Sequence, residues 1–216
     1  YEPGSTFKAL VLAAALEEGV VSESDTFTCT GSIRVAGYSK PIHCSDREGH
    51  GTQTLAKAVQ NSCNPAFIEI GQRLGVETFY KYFEAFGMTE NTGIDLPGEA
   101  SLQGANWGEN MTNVDLAVAS FGQRFNVTPI QMITAAAAVI NGGHLMQPYV
   151  LQTVTDPDGN VVQSTQPTMV RQVISEETSE RCRTILESVV DGGTGSKAYV
   201  AGYRIGGKTG SSETLY

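Results

Sequence analysis

The sequence predicts an α+β fold, a mainly helical body carrying short antiparallel hairpins, on three observations. Apolar residues recur at helical spacing in several long segments. Short extended runs bounded by Gly, Pro, Asn and Asp lie between them. The 216 residues are 40% hydrophobic and 17% charged with no long polar tract, enough to bury one full core and too apolar for a disordered chain.

In chain order, Glu2-Pro3-Gly4 leads to Ser5, and Phe7 with residues 9–16 forms an alanine- and leucine-rich run, so Ser5 should open a buried helix. Residues 26–30 and 39–44 flank Gly31 and Gly37 and read as a hairpin. Helices are predicted at 52–61, 65–74 and 76–86. In the last, Phe79, Tyr80, Tyr82, Phe83 and Phe86 recur at the spacing of a core-facing stripe. Residues 93–99 read as a loop. Helices at 112–121 and 129–141 lead to a hairpin of 147–155 and 161–166, turned by Asp156-Pro-Asp-Gly-Asn160. A helix at 175–190 precedes the loop Gly192-Gly-Thr-Gly195, and residues 199–205 read as a strand.

Charge and hydropathy exclude several classes of function. Fourteen basic against 23 acidic residues give a net charge of −9, which argues against a nucleic-acid partner. The longest apolar stretches, 9–16 and 133–140, are too short to cross a membrane.

Three short strings offer chemistry. Ser5 and Lys8 are one helical turn apart, so the lysine amine can sit beside the serine hydroxyl, and a desolvated lysine can act as its base. A serine at a helix start also presents its backbone N–H with the positive end of the helix dipole. Ser62-Cys63-Asn64 precedes Pro65, which disfavours the helical region for Asn64. Ser62 and Asn64 are therefore expected on a short interhelical loop, able to relay a proton and hold an amide. Lys208-Thr209-Gly210 follows the predicted strand, where Lys208, Thr209 and Ser211 could bind a carboxylate while Gly206 and Gly207 allow close approach. Taken alone, Ser5 with Lys8 and Ser62 with Asn64 are better explained as helix caps and a surface lysine. Their company in this order is what favours chemistry.

Ser-x-x-Lys, Ser-x-Asn and Lys-Thr-Gly resemble the signature of the penicillin-binding and β-lactamase superfamily. Tyr1-Glu-Pro-Gly-Ser-Thr-Phe-Lys8, Gly49-His-Gly51, Asn61-Ser-Cys-Asn-Pro65, Gly93-Ile-Asp-Leu-Pro-Gly-Glu99, Phe121-Gly-Gln123 with Val127-Thr-Pro-Ile-Gln131, and Gly193-Thr-Gly195 are similar to the transpeptidase domain of class B penicillin-binding proteins, most of all the sporulation-associated members. The resemblance implies a D,D-transpeptidase that acts on peptidoglycan stem peptides and is acylated by β-lactam antibiotics. In it Ser5 is the nucleophile, Lys8 its base, Ser62 the proton relay and Asn64 the holder of the acyl-side amide. Lys208 supplies positive potential, Thr209 and Ser211 bind the substrate carboxylate with Gly210 beside them, and the Ser5 and Ser211 amides form the oxyanion hole.

The resemblance also implies a membrane-anchored parent at the extracytoplasmic face, a separate glycosyltransferase partner, and no cofactor. That fold centres on a five-stranded antiparallel sheet, of which only the Lys-Thr-Gly strand is legible here. Residues 1–216 are therefore expected to be one transpeptidase domain truncated at both ends, mainly the helical lobe. Weakened or absent activity and dimerisation through an unpaired strand would follow.

Two rivals share some of these residues. A β-lactamase would need a water-activating loop, and Glu109 to Asn113 matches Glu-x-x-x-Asn; the middle motif here, however, is Ser-Cys-Asn and not Ser-Asp-Asn. Gly202 to Thr209 satisfies the phosphate-binding pattern GxxxxGK(S/T), but such a loop must open a helix, and Ser211-Ser-Glu-Thr214 begins one poorly.

Cys29, Cys44, Cys63 and Cys182 admit several states. A Cys44–Cys63 bridge would act as a redox switch on the Ser62-Cys63-Asn64 string. A Cys29–Cys44 bridge would be structural, and all four could be reduced. A metal set of Cys29, His43, Cys44 and His50 lacks a CxxC pair, so no metal is expected.

Overall fold

The computed structural model describes residues 1–100 and 110–211. A 3₁₀ turn, Gly4–Phe7, runs directly into helix α1, Lys8–Glu17, whose residues from Lys8 to Leu16 are all buried. A helix with no solvent face must be surrounded, and α1 packs against α3 (Asn64–Ala85), α5 (Pro129–Ile140) and α6 (Glu176–Gly192). Helix α2 (Leu55–Gln60) lies on α6, and α4 (Asn113–Ala119) lies on α3. Phe7 anchors the aromatic part of the core, its ring edge-on to Phe125 at 4.8 Å between centroids, with Phe79 and Phe83 beside it.

Local chemistry sets the helix starts. The Thr128 hydroxyl accepts from the Gln131 amide while the Gln131 side chain accepts from the Thr128 amide, and Pro129 occupies the first turn. Thr112 and Asp115 form the same reciprocal cap on α4. Ser175 caps α6, where Glu176 and Glu177 complement the helix dipole. The predicted pair of helices at 65–74 and 76–86 is α3, broken at Gly75, whose φ of 76° departs from helix.

Among the described residues the strands form four separate two-stranded antiparallel ladders. β1 (Thr26–Cys29) pairs with β4 (Gly51–Thr54), setting Cys29 opposite Gly51; β2 (Ser32–Ile33) pairs with β3 (Ile42–His43). The hairpin predicted between 26–30 and 39–44 is thus corrected. Pro41 has no N–H to donate, so that stretch supplies only a two-residue strand, and Thr52 and Thr54 extend the chain where the helix at 52–61 was predicted to begin. β6 (Thr153–Thr155) and β7 (Val161–Ser164) form the predicted second hairpin, trimmed at its ends. β5 (His144–Met146) and β8 (Met169–Gln172) form a ladder the sequence did not suggest. The loop at 93–99 is tied down by its own carboxylates: Glu99 accepts from the Thr92 and Gly93 amides, and Asp95 from the Val150 and Leu151 amides at 2.8 Å.

No strand forms at 199–205. After a 3₁₀ turn at Ser196–Ala198 the chain turns again, with the Tyr203 amide on the Val200 carbonyl, and then runs along α6. There the Gly207 amide donates to the Leu186 carbonyl and Arg204 pairs with Glu187 at 2.7 Å. A strand is defined by its ladder partner, and here a helix occupies that place. The edge invoked for dimerisation is accordingly absent from the described residues.

The Ser5 turn is clamped from the side by Gly122, φ 84°, whose carbonyl accepts from the Gly4 amide at 2.9 Å and whose missing Cβ would collide with the Gly4 carbonyl. Gly122→Ala is expected to destabilise the chain by about 1–3 kcal/mol through left-handed strain and that collision. Urea denaturation followed by circular dichroism reads it, and an unchanged midpoint would show that the clamp is not needed.

Candidate active site

The site forms where the first turn of the chain meets two loops. Ser5 sits half-buried in the 3₁₀ turn, and Lys8 begins α1 with its side chain wholly inside the protein. A buried amine needs acceptors, and the Lys8 Nζ has three: the Ser62 carbonyl at 2.6 Å, the Asn64 Oδ1 at 2.8 Å and the Ser62 Oγ at 3.2 Å. The Phe67 ring closes the apolar side, with its centroid 5.3 Å from the Nζ.

Ser62 can present both oxygens to one amine because its backbone is left-handed, φ 52°, in the tight turn between α2 and α3. Asn64 is the first residue of α3 and not a loop residue as predicted. Pro65 falls within the first helical turn, where its missing N–H costs nothing, and the helix start holds Asn64 in place. The Asn64 Nδ2 donates to the His43 carbonyl at 3.1 Å, which fixes the orientation of its amide.

Lys208 arrives from the far end of the chain, its Nζ donating to the Ser62 Oγ at 2.8 Å and to the Thr209 carbonyl at 2.9 Å. Thr209 Oγ1 lies 2.9 Å from Thr194 Oγ1, which ties the Lys-Thr-Gly string to the Gly-Thr-Gly loop. A Cβ on Gly210 would lie 2.7 Å from the Thr6 Cγ2 and 3.5 Å from the Pro3 carbonyl, so this glycine lets the string lie against the Ser5 turn. Ser211 is exposed.

Two lysine amines on one hydroxyl are electrostatically unusual. Burial first, and Lys208 second, push Lys8 down to about 7, against an opposing pull from the Cys63 and Cys44 thiols. Burial pushes Lys208 down to about 8. Near neutral pH the pair can therefore hold one mobile proton. The arrangement can take a proton from a neighbouring hydroxyl and pass it through Ser62, while Lys208 keeps positive potential at the mouth.

The structure gathers Lys8, Ser62, Asn64 and Lys208 into one hydrogen-bonded group, with Ser5 and Gly210 adjoining it and Thr209 at its rim. It places Lys8 on Ser62 and Asn64; among the described residues the Ser5 hydroxyl makes no hydrogen bond. Phe67 and Thr194 were not singled out individually from the sequence. Thr194 was signalled only by its place in Gly193-Thr-Gly195, whereas Phe67 looks like any core residue.

All four cysteines are free thiols. The Cys44 and Cys63 sulfurs are 4.0 Å apart, and their contact holds Cys44 below the usual thiol range while raising Cys63. The Cys29–Cys44 bridge is not formed. The phosphate-loop alternative fails as well, because residues 202–209 open no helix. Glu109, needed for the β-lactamase alternative, lies outside the described residues.

Comparison with known proteins places the whole chain in one context. The family model for the penicillin binding protein transpeptidase domain matches residues 1–216. Stage V sporulation protein D of Bacillus subtilis is 48% identical over 218 residues, covering 100% of this chain and 33% of that protein. The peptidoglycan D,D-transpeptidase FtsI homolog of Mesostigma viride is 32% identical, covering 99% of this chain and 39% of that protein. The chain thus spans well under half the length of these relatives. Among solved structures, the D,D-transpeptidase domain of a peptidoglycan glycosyltransferase from Eggerthella lenta superposes with a TM-score of 0.89 at 30% identity, covering 100% of this chain and 54% of that one. Penicillin binding protein 3 from Mycobacterium tuberculosis complexed with ampicillin gives 0.89 at 29%, covering 100% and 48%.

Because Lys208 helps hold Lys8 below the ordinary lysine range, Lys208→Ala is expected to move the Lys8 titration upward from about 7. NMR titration of chain labelled with ¹³C at the lysine ε-carbon reads it; a Lys8 titration that stayed put or fell would remove Lys208 from the cause.

Proposed function

The chain belongs to the penicillin binding protein transpeptidase domain family, and from that premise we propose that its site performs serine acyl transfer on peptidoglycan stem peptides, as a D,D-transpeptidase. The observation that supports this most is the buried Lys8 amine, depressed to about 7 and sharing the Ser62 hydroxyl with Lys208 one helical turn from Ser5. A serine hydroxyl needs a neutral base to become a nucleophile, and Lys8 is the only amine of the group within α1.

In this reading the Ser5 Oγ attacks the carbonyl carbon of the D-Ala-D-Ala bond as its proton passes to Lys8. Charge develops on the carbonyl oxygen, which the Ser5 and Ser211 amides stabilise. The C–N bond breaks, the proton travels through Ser62 to the departing D-alanine amine, and an ester to Ser5 remains. The amine of a neighbouring stem peptide then attacks the ester, forms the cross-linking amide, and returns the Ser5 proton. Asn64 holds the acyl-side amide, and Lys208 with Thr209 and Ser211 receives the substrate carboxylate. A β-lactam follows the first half alone, with its amide C–N bond opened and the amine retained in the adduct.

The setting is the extracytoplasmic face of the membrane, where the stem peptides are, with a separate glycosyltransferase supplying the strands. Oxidation of Cys44 and Cys63 by an extracytoplasmic disulfide donor would form one S–S bond, reduce the donor disulfide to two thiols and displace the residues on either side of Cys63.

Incubation with benzylpenicillin is expected to add one penicilloyl group mapping to Ser5 by intact-protein and peptide mass spectrometry, and none in Ser5→Ala. No adduct in this chain, nor in a version extended to the length of its relatives, would overturn the reading. Lys8→Met should slow acylation by roughly 10²–10⁴-fold.

Only the neutral amine accepts a proton, so the acylation rate should rise about tenfold per pH unit below pH 7 and flatten above it. A rate flat from pH 5 to 8, from about two units below that midpoint to about one above it, would exclude Lys8 as the base.

A further inference from the structure

The turn that carries Ser62 puts a serine where a helix end usually has glycine. Helix α2 closes with two reverse bonds, the Ser62 amide on the Val59 carbonyl at 3.1 Å and the Cys63 amide on the Ala58 carbonyl at 3.0 Å, and Ser62 is the left-handed residue between them, φ 52°. A side chain in that conformation crowds its own Cβ against the following carbonyl oxygen. Neighbouring residues must therefore hold the turn.

Two contacts grip the residues just before Ser62. The Thr194 amide donates to the Gln60 carbonyl at 3.1 Å, and the Asn61 Nδ2 donates to the Gln53 Oε1 at 2.9 Å. Asn61 is the last residue before the left-handed serine, and Gln53 lies within β4. This second bond ties the turn to the β1–β4 ladder.

Gln53 is a poor choice for stability alone. It is the one buried residue of β4, 5% exposed, and it faces the core directly opposite Phe27 of β1. Its Nε2 is buried and makes no hydrogen bond among the described residues. A buried donor left unpaired costs the desolvation of that group, so an apolar side chain would serve the core better at this position. Breaches of that kind are expected where a residue serves a site.

We propose that Gln53 and Asn61 are positioning residues, a side-chain amide pair that holds Ser62 left-handed so that both of its oxygens reach Lys8. Neither bonds to Lys8 or Lys208; both act through Ser62. The Lys8 Nζ takes two of its three acceptors from Ser62, the carbonyl at 2.6 Å and the Oγ at 3.2 Å, and Lys208 donates to the same Oγ at 2.8 Å. A turn that relaxed toward the right-handed region would withdraw these oxygens together, leaving a buried ammonium with fewer acceptors. The consequence for acyl transfer rests on the transpeptidase reading, whereas the effect on the Lys8 amine does not.

The test compares the whole chain with Gln53→Leu, Asn61→Ala and the double variant in three measurements. The urea midpoint of Gln53→Leu should hold or rise, because leucine leaves no buried donor unpaired. The Lys8 titration, read by NMR with ¹³C at the lysine ε-carbon, should fall from about 7 by at least about half a pH unit, roughly threefold in proton affinity, since hydrogen bonds to the charged form are lost. Acylation of Ser5 by benzylpenicillin should slow at least about tenfold. Asn61→Ala should reproduce the Lys8 and acylation effects, and the double variant should add little to either, because both substitutions break one bond. A Lys8 titration that stays at about 7 in both single variants, effects that add in the double variant, or losses that follow a lowered urea midpoint would overturn the positioning role. If Gln53→Leu does not fold, Asn61→Ala decides by the Lys8 titration. If the wild-type chain is not acylated, the acyl-transfer reading fails and the Lys8 titration alone decides whether the pair positions Ser62.

Discussion

The Lys8 amine fixes the architecture around it. A lysine enclosed on a helix with no solvent face is tolerable only if its donors are met, and the acceptors come from a turn 54 to 56 residues away in sequence. That requirement couples the core to the chemistry. Helix α1 must be packed on all sides to desolvate Lys8, and the turn between α2 and α3 must take its left-handed form to bring Ser62 and Asn64 over it. The same burial that makes the amine costly to charge brings its titration near neutrality.

The two ends of the described chain are held to this centre by different means. The Ser5 turn belongs to α1, is clamped by Gly122 and lies against Gly210. Lys208 reaches Ser62 from an irregular segment that α6 supports through the Leu186 carbonyl and the Glu187 carboxylate. Ser5 and Lys8 are therefore set by one continuous helical element. Lys208 and Thr209 depend on contacts made across the helical lobe.

Much of this was legible in the sequence because helices declare themselves locally. Capping pairs such as Thr128 with Gln131, the aromatic spacing at Phe79, Phe83 and Phe86, and the break at Gly75 need no knowledge of the tertiary fold. The order of the three strings was likewise enough to nominate Lys8, Ser62, Asn64 and Lys208 together. Ladder pairing was not legible, because β5 with β8 and β1 with β4 join segments more than 20 residues apart with few residues in each. Residues 199–205 show the converse: Tyr199, Val200 and Tyr203 have strand propensity, but a strand also needs a neighbour, and α6 stands there. Cys29, Cys44 and His50 were considered together from the sequence, but with His43 as the fourth; non-local pairing sets Cys63 beside them instead, the four being spaced 15, 6 and 13 residues apart.

The β6–β7 hairpin differs in kind from the helices that surround Lys8. Every residue of both strands is exposed, Val154, Val161 and Val162 included, and the turn between them is stitched by Asp156 accepting from the Asp158 and Asn160 amides. An element that buries nothing adds little to the cooperative unit, so its amides can open and exchange with solvent by a local event that leaves α1 and the lysine cluster closed. Hydrogen-exchange protection in this lobe should accordingly fall into two tiers, and the hairpin tier would report only the strength of its own turn.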